Sequence, residues 1–133
     1  METKDLLKCL SALSVFFIFF FIPILFFRQI KINVENMEIK EGLNNIRLWS
    51  DVYKAKNGNY KGIENDPEIK RIMLFINYMG NDCKLFSNDS GNNFCVKAKI
   101  KNIIMSRNWC VDNTGYSGLK INNCDLGKEI KCE

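Results

Sequence analysis

The sequence contains no histidine at all. That removes the usual general base near neutral pH, the commonest zinc ligand and every Ser-His or Cys-His nucleophile arrangement. There is no close C-x-x-C pair either, so neither a redox dithiol nor a zinc knuckle is written into the spacing. Only two prolines occur, and no glycine precedes Gly42. Nor is there an excess of one charge: 19 basic and 15 acidic residues are interspersed, and a formal +4 makes no case for nucleic acid. Charge is missing altogether from residues 9–27, which read CLSALSVFFIFFFIPILFF and hold seven of the ten phenylalanines.

This run dominates what is present. As a helix, nineteen residues rise about 28 Å, close to the hydrocarbon thickness of a bilayer. A small domain cannot bury such a cylinder on all sides, so the run is expected to lie in lipid. Pro23 would break a soluble helix, but membrane helices accept it as a kink. The run exceeds an ordinary signal-peptide core and no A-x-A-like site follows it, which favours an uncleaved anchor. Lys4 and Lys8 before the span and Arg28 and Lys31 after it hardly choose an orientation. The cysteines do: Cys83, Cys95, Cys110, Cys124 and Cys132 in a small domain behind a membrane helix indicate disulfides in an oxidising compartment. The N-terminus is therefore expected inside and the C-terminal domain outside.

After the span, Ile39, Leu43, Ile46, Trp49 or Ser50, and Tyr53 follow helical spacing, which predicts a helix over 37–56. Ile30, Ile32 and Val34 alternate like a strand. The absence of Gly or Pro between Arg28 and Glu41 nevertheless predicts continuity with the apolar helix. Gly42 weakens that helix by up to about 1 kcal/mol without breaking it, and Asn57-Gly58 stops it. A second helix starts at Pro67 under an Asn65 or Asp66 cap, carries Ile69, Ile72, Met73, Ile76 and Met79 on one stripe, and ends at Gly80. Strands follow over 83–86, 94–100 and 108–111, with SNDSGNN and DNTGYSG as turns and an edge from the tail, 119–133. In 94–100, Phe94, Val96, Ala98 and Ile100 share one face, and Cys95, Lys97 and Lys99 the other. The layout is α+β: a membrane anchor (1–28), an amphipathic helix (29–57) and a cysteine-rich head (58–133) with a small antiparallel sheet.

Two stretches resemble type IV pilins and type II secretion pseudopilins. Asn57, Gly58 and Tyr60, after Ile46, Trp49 and Tyr53, are similar to the ending of the pilin spine helix. Trp109, Cys110, Val111, Asp112, Thr114 and Gly115 resemble the WCVDSTG segment of small pilin-like proteins, with Cys124 matching a following cysteine. Pro23 matches a proline found in the apolar helix of that family. The resemblance implies a single-pass membrane subunit whose N-terminal helix packs with other pilin-like subunits and whose head lies in the periplasm or outside the cell. The start, Met-Glu-Thr-Lys-Asp-Leu-Leu-Lys, has no recognisable prepilin-peptidase site. That leaves a stand-alone anchored binding or adhesion module as the alternative.

No catalytic, cofactor or metal site is expected. Asp112 is read as capping its own turn, and Asp82, Asp89 and Asp125 lack the spacing of a calcium loop. Lys97, Lys99 and Lys101, near Arg107, have no interleaved aromatics for stacking bases, so they read as a solvated face and no nucleic-acid partner is expected; membrane lipid, around the apolar run, is the expected partner. For the disulfides, Cys83–Cys95 and Cys110–Cys124 are preferred, each closing a loop of about a dozen residues and contributing on the order of 3 kcal/mol. Cys132 is then left free or intermolecular, and other connectivities stay open.

Overall fold

The computed structural model describes residues 3–102, 107–120, 124 and 132. Its elements run α1 (Thr3–Asn57), a 3-10 turn (Ile63–Asn65), α2 (Pro67–Tyr78), then β1 (Lys84–Ser87), β2 (Phe94–Ile100), β3 (Arg107–Asp112) and β4 (Ser117–Lys120). The fold is α+β, and the strands form one antiparallel meander in the order β1-β2-β3-β4. The chain divides into two compact units, Met1–Val34 and Glu35–Glu133.

In the first unit, helix continues through Pro23 and through Ile30, Ile32 and Val34. The strand-like alternation there does not prevail, because nothing breaks the helical ladder. Every large apolar side chain from Leu13 to Phe27 is about half exposed or more, on all sides of the helix. Phe16 stacks on Phe20 and Phe17 on Phe21, with ring centroids 4.3 and 4.4 Å apart, as the i, i+4 spacing allows. This is the one helix among the described residues long and apolar enough to cross a membrane.

In the second unit, the end of α1 packs as part of the head. Ile39, Leu43, Ile46 and Ser50 are fully buried, while Trp49 remains 41% exposed. The hydroxyl of Ser50 donates to the Ile46 carbonyl at 2.6 Å, which makes its burial tolerable. Gly42 has a packing role that its weak helix propensity hides: a Cβ there would stand 3.1 Å from Cδ1 of the buried Ile76 on α2. The Asp66 carboxylate accepts from the amides of Glu68 (3.0 Å) and Ile69 (3.2 Å), with Pro67 opening the helix. Ile69 and Ile76 are buried in the core, with Ile72, Met73 and Met79 packed against it. Phe94, Val96, Ala98 and Ile100 complete that core from the sheet.

The strand boundaries differ slightly from expectation. β2 has the expected bounds, but Cys83 lies just before β1, β3 is one residue longer at each end, and β4 takes Ser117 and Gly118 from the expected turn. Beyond Lys120, only Cys124 and Cys132 of the expected tail edge lie within the described residues.

Candidate functional site

The sheet's two faces have separate fates. In the register of β1 and β2, Leu85 stands opposite Val96 and Phe86 opposite Cys95. One residue before Lys84, which pairs with Lys97, Cys83 falls on the face of Leu85, Val96 and Ala98, and it is buried in the main core. Cys95 points the other way. Lys97 stands opposite Cys110 on β3, so Cys95 and Cys110 share the outer face. Cys124 and Cys132 close over it, and these four buried cysteines form a second core with Phe86 and Tyr116 packed against them.

The pairing Cys83–Cys95 and Cys110–Cys124 is therefore corrected. Bonded pairs are Cys95–Cys124 and Cys110–Cys132, and Cys83 is a buried free thiol. The sheet itself separates Cys83 from Cys95, and Cys132 is neither free nor intermolecular. Burial first, and the charge of Asp82 second, push the Cys83 thiol up to about 12, so it stays protonated and unreactive at neutral pH.

The four sulfurs form more than two separate bridges. Between the pairs, Cys95 Sγ lies 3.0 Å from Cys110 Sγ and 3.3 Å from Cys132 Sγ, and Cys110 Sγ lies 3.7 Å from Cys124 Sγ. All four lie within 4.8 Å of one another. Nothing in the spacing of 15, 14 and 8 residues announces this convergence. The alternation that puts Cys95 opposite the core face was the one available signal.

Asp112 holds the cluster's edge. Only 1% exposed, it accepts through Oδ1 from the Thr114 amide (2.9 Å), the Thr114 hydroxyl (2.6 Å) and the Tyr116 amide (3.2 Å). Its Oδ2 accepts from the Cys132 amide at 2.8 Å. The turn-capping role is thus present, together with a long-range tie to the chain's last cysteine. Asn113 adds a second tie, accepting from the Phe94 amide at 3.2 Å. Gly115 takes φ +93, which favours glycine in this turn.

The rest of the Trp109–Gly115 segment docks onto α1. Lys40 Nζ sits 4.3 Å from the Trp109 ring centroid, and Trp109 Nε1 donates to Ser117 Oγ at 3.2 Å. Ser117 Oγ in turn donates to Asn44 Oδ1 at 3.3 Å, and Arg47 donates to the Gly115 carbonyl at 3.2 Å. Lys40, Asn44 and Arg47 are spaced by four and three residues, one face of a helix. Val111 is fully buried in the main core.

The Asn57–Tyr60 segment is likewise a junction. Gly58 at φ +80 ends α1, its amide donating to the Lys54 carbonyl at 2.7 Å. Asn57 Nδ2 donates to the Tyr53 carbonyl at 2.9 Å. Tyr60 is buried edge-on against Phe94 with centroids 4.9 Å apart, and its amide donates to the Gly91 carbonyl at 2.7 Å. Burial and the neighbouring Asp51 carboxylate, which accepts from its hydroxyl at 3.3 Å, raise the Tyr60 pKa.

The basic residues of the sheet are engaged within the head. Lys97 lies over the Phe86 ring at 5.4 Å, Lys99 pairs with Asp82 at 3.5 Å, and Lys101 pairs with Glu35 at 3.1 Å. Asn36 clamps the Lys101 backbone, donating to its carbonyl (2.6 Å) and accepting from its amide (2.9 Å). Asp82 also meets Lys84 at 3.4 Å. Partial burial raises its pKa, but Lys84 and Lys99 outweigh that and hold its carboxyl below the ordinary value. A groove between α1 and α2, lined by Glu38, Glu41, Arg71 and Phe75, brings no nucleophile beside a base, and Arg71 is already paired with Glu68 at 2.8 Å.

No protein-family model matches the chain, and no curated protein or solved structure matches it.

Proposed function

We propose that this protein is a membrane-anchored, pilin-like structural subunit of a type IV pilus or type II secretion pseudopilus, with its head outside the cytoplasm. The observation that carries this reading is α1 itself. Its first unit bears exposed apolar side chains on every side, and its remaining turns supply Ile39, Leu43 and Ile46 to the head's core before the Gly58 stop. Support comes also from a second apolar stripe on α1, away from that core: Leu48, Trp49 and Val52 are 57%, 41% and 41% exposed. Such a stripe suits contact with neighbouring subunits. Disulfide-bonded cysteines in a small head support an oxidising compartment. No catalytic step is assigned, since the chain has no histidine and its free core thiol is held protonated.

The second reading is a stand-alone anchored binding module. Protease shaving of intact cells, with N-terminal sequencing of the membrane fraction and analysis of sheared filaments, separates the two. An exposed head that cofractionates with filaments supports the subunit; an exposed head confined to the membrane as a monomer supports the module. A head protected inside the cell overturns both.

A further inference from the structure

We propose that Cys95, Cys110, Cys124 and Cys132 form a second kind of site: when the two disulfides are reduced, the four thiolates bind one zinc ion. Such a site is independent of whether the chain polymerises. It rests on the mutual placement of four buried sulfurs. In a tetrathiolate zinc site each sulfur lies about 2.3 Å from the metal, so tetrahedral geometry puts any two about 3.8 Å apart. Here all four sulfurs lie within 4.8 Å of one another, and the contacts between pairs are 3.0, 3.3 and 3.7 Å. Three of these distances thus lie within about 1 Å of a tetrahedral edge. Opening each bonded pair from the usual disulfide separation of about 2.05 Å to that edge completes the tetrahedron. Two well-separated disulfides would not converge in this way.

The surroundings fit a closed structural site. Cys95 and Cys110 project from paired strands, which fixes two ligands diagonally across one sheet face. The other two are 3% and 5% exposed, and Phe86 and Tyr116 pack against the cluster. Zinc with four thiolates carries a net charge of −2, and Lys97, directly opposite Cys110 in the register, stands on the same face. Asp112 is the nearby carboxylate. Its oxygens are already engaged by four donors, among them the Cys132 amide, so it positions that cysteine instead of competing for the ion.

The two states interconvert by balanced chemistry. Two molecules of a dithiol give four electrons and four protons to the two S–S bonds, leaving four cysteine thiols and two molecules of oxidised dithiol. Zinc then binds with release of the four thiol protons. For re-oxidation, two molecules of the oxidised dithiol accept four electrons from the four thiolates and four protons from solvent, returning to dithiol; both protein S–S bonds re-form and the ion is expelled.

The test uses the full chain in detergent, reduced anaerobically with a phosphine, which does not chelate as a dithiol does, and titrated with Co2+ and then Zn2+. The expected result is one Co2+ per chain with thiolate-to-cobalt charge transfer and tetrahedral d–d bands, both lost on adding one Zn2+. Cys83→Ala and Cys9→Ser leave that spectrum intact, whereas Cys95→Ser and Cys124→Ser each abolish it. The oxidised chain takes up no metal, and oxidising the zinc form releases one ion to a chromogenic chelator. Failure of the reduced chain to take up one metal, folded or not, overturns the proposal. So does an octahedral spectrum, or binding that survives replacement of all four cysteines by serine.

Discussion

Asp112 and Cys83 are both buried, and the fold uses them differently. Asp112 is held by four hydrogen bonds, so its removal orphans the amides of Thr114, Tyr116 and Cys132 at once. Asp112→Ala is expected to cost about 3 kcal/mol or more in denaturant unfolding. Asp112→Asn retains the turn bonds at Oδ1 but sets an amide donor against the Cys132 N–H. It should cost about 1–3 kcal/mol and speed alkylation of Cys110 and Cys132 under mild reduction. Cys83 gives a pH signature. Its ordinary value is 9.0 and the fold pushes it to about 12, so between these limits the unfolded chain loses the proton while the folded chain keeps it. The folded state then binds more protons, and stability falls as pH rises, by up to about 1.4 kcal/mol per pH unit. Subtracting the stability–pH profile of Cys83→Ala from that of the natural chain isolates this slope; a flat difference above pH 9 contradicts it. The same thiol should resist iodoacetamide at neutral pH until the protein is unfolded.

The helices and strands were legible in the sequence wherever one periodicity ruled. The stripe of α2, its Asp66 cap and the Phe94–Ile100 alternation are all present. Where two signals competed, context chose. Ile30, Ile32 and Val34 alternate like a strand, yet no residue breaks the helix and α1 runs through. Gly42 shows how propensity alone misleads. Replacing it with alanine would favour the isolated helix by roughly 1 kcal/mol. However, the new methyl would stand 3.1 Å from Cδ1 of the fully buried Ile76, which would have to shift to admit it. Overpacking of this kind costs about 1–3 kcal/mol. Gly42→Ala is therefore expected to lower the midpoint of thermal unfolding, not to raise it, and Gly42→Leu should prevent α2 from docking.

At the scale of the whole molecule, the second unit, Glu35–Glu133, carries its own core and both disulfides. Expressed alone under oxidising conditions, it should fold and unfold in one cooperative step, monitored by circular dichroism. Starting the chain two residues later removes Glu35 and Asn36, which hold the Lys101 side chain and backbone. That fragment should be less stable by on the order of 1–2 kcal/mol. The sequence by itself determined the anchor-like apolar run, the helix stops and the division of β2 into a core face and a cysteine-bearing face. Those features depend on local composition and period. Only the tertiary structure decided which cysteines meet. Strand residues alternate between faces, so the register of the β1–β2 hairpin puts Cys83 and Cys95 on opposite sides of the sheet despite their modest separation. The β2–β3 register then brings Cys95 beside Cys110, and the Asp112 contact draws Cys132 in to complete a cluster of four.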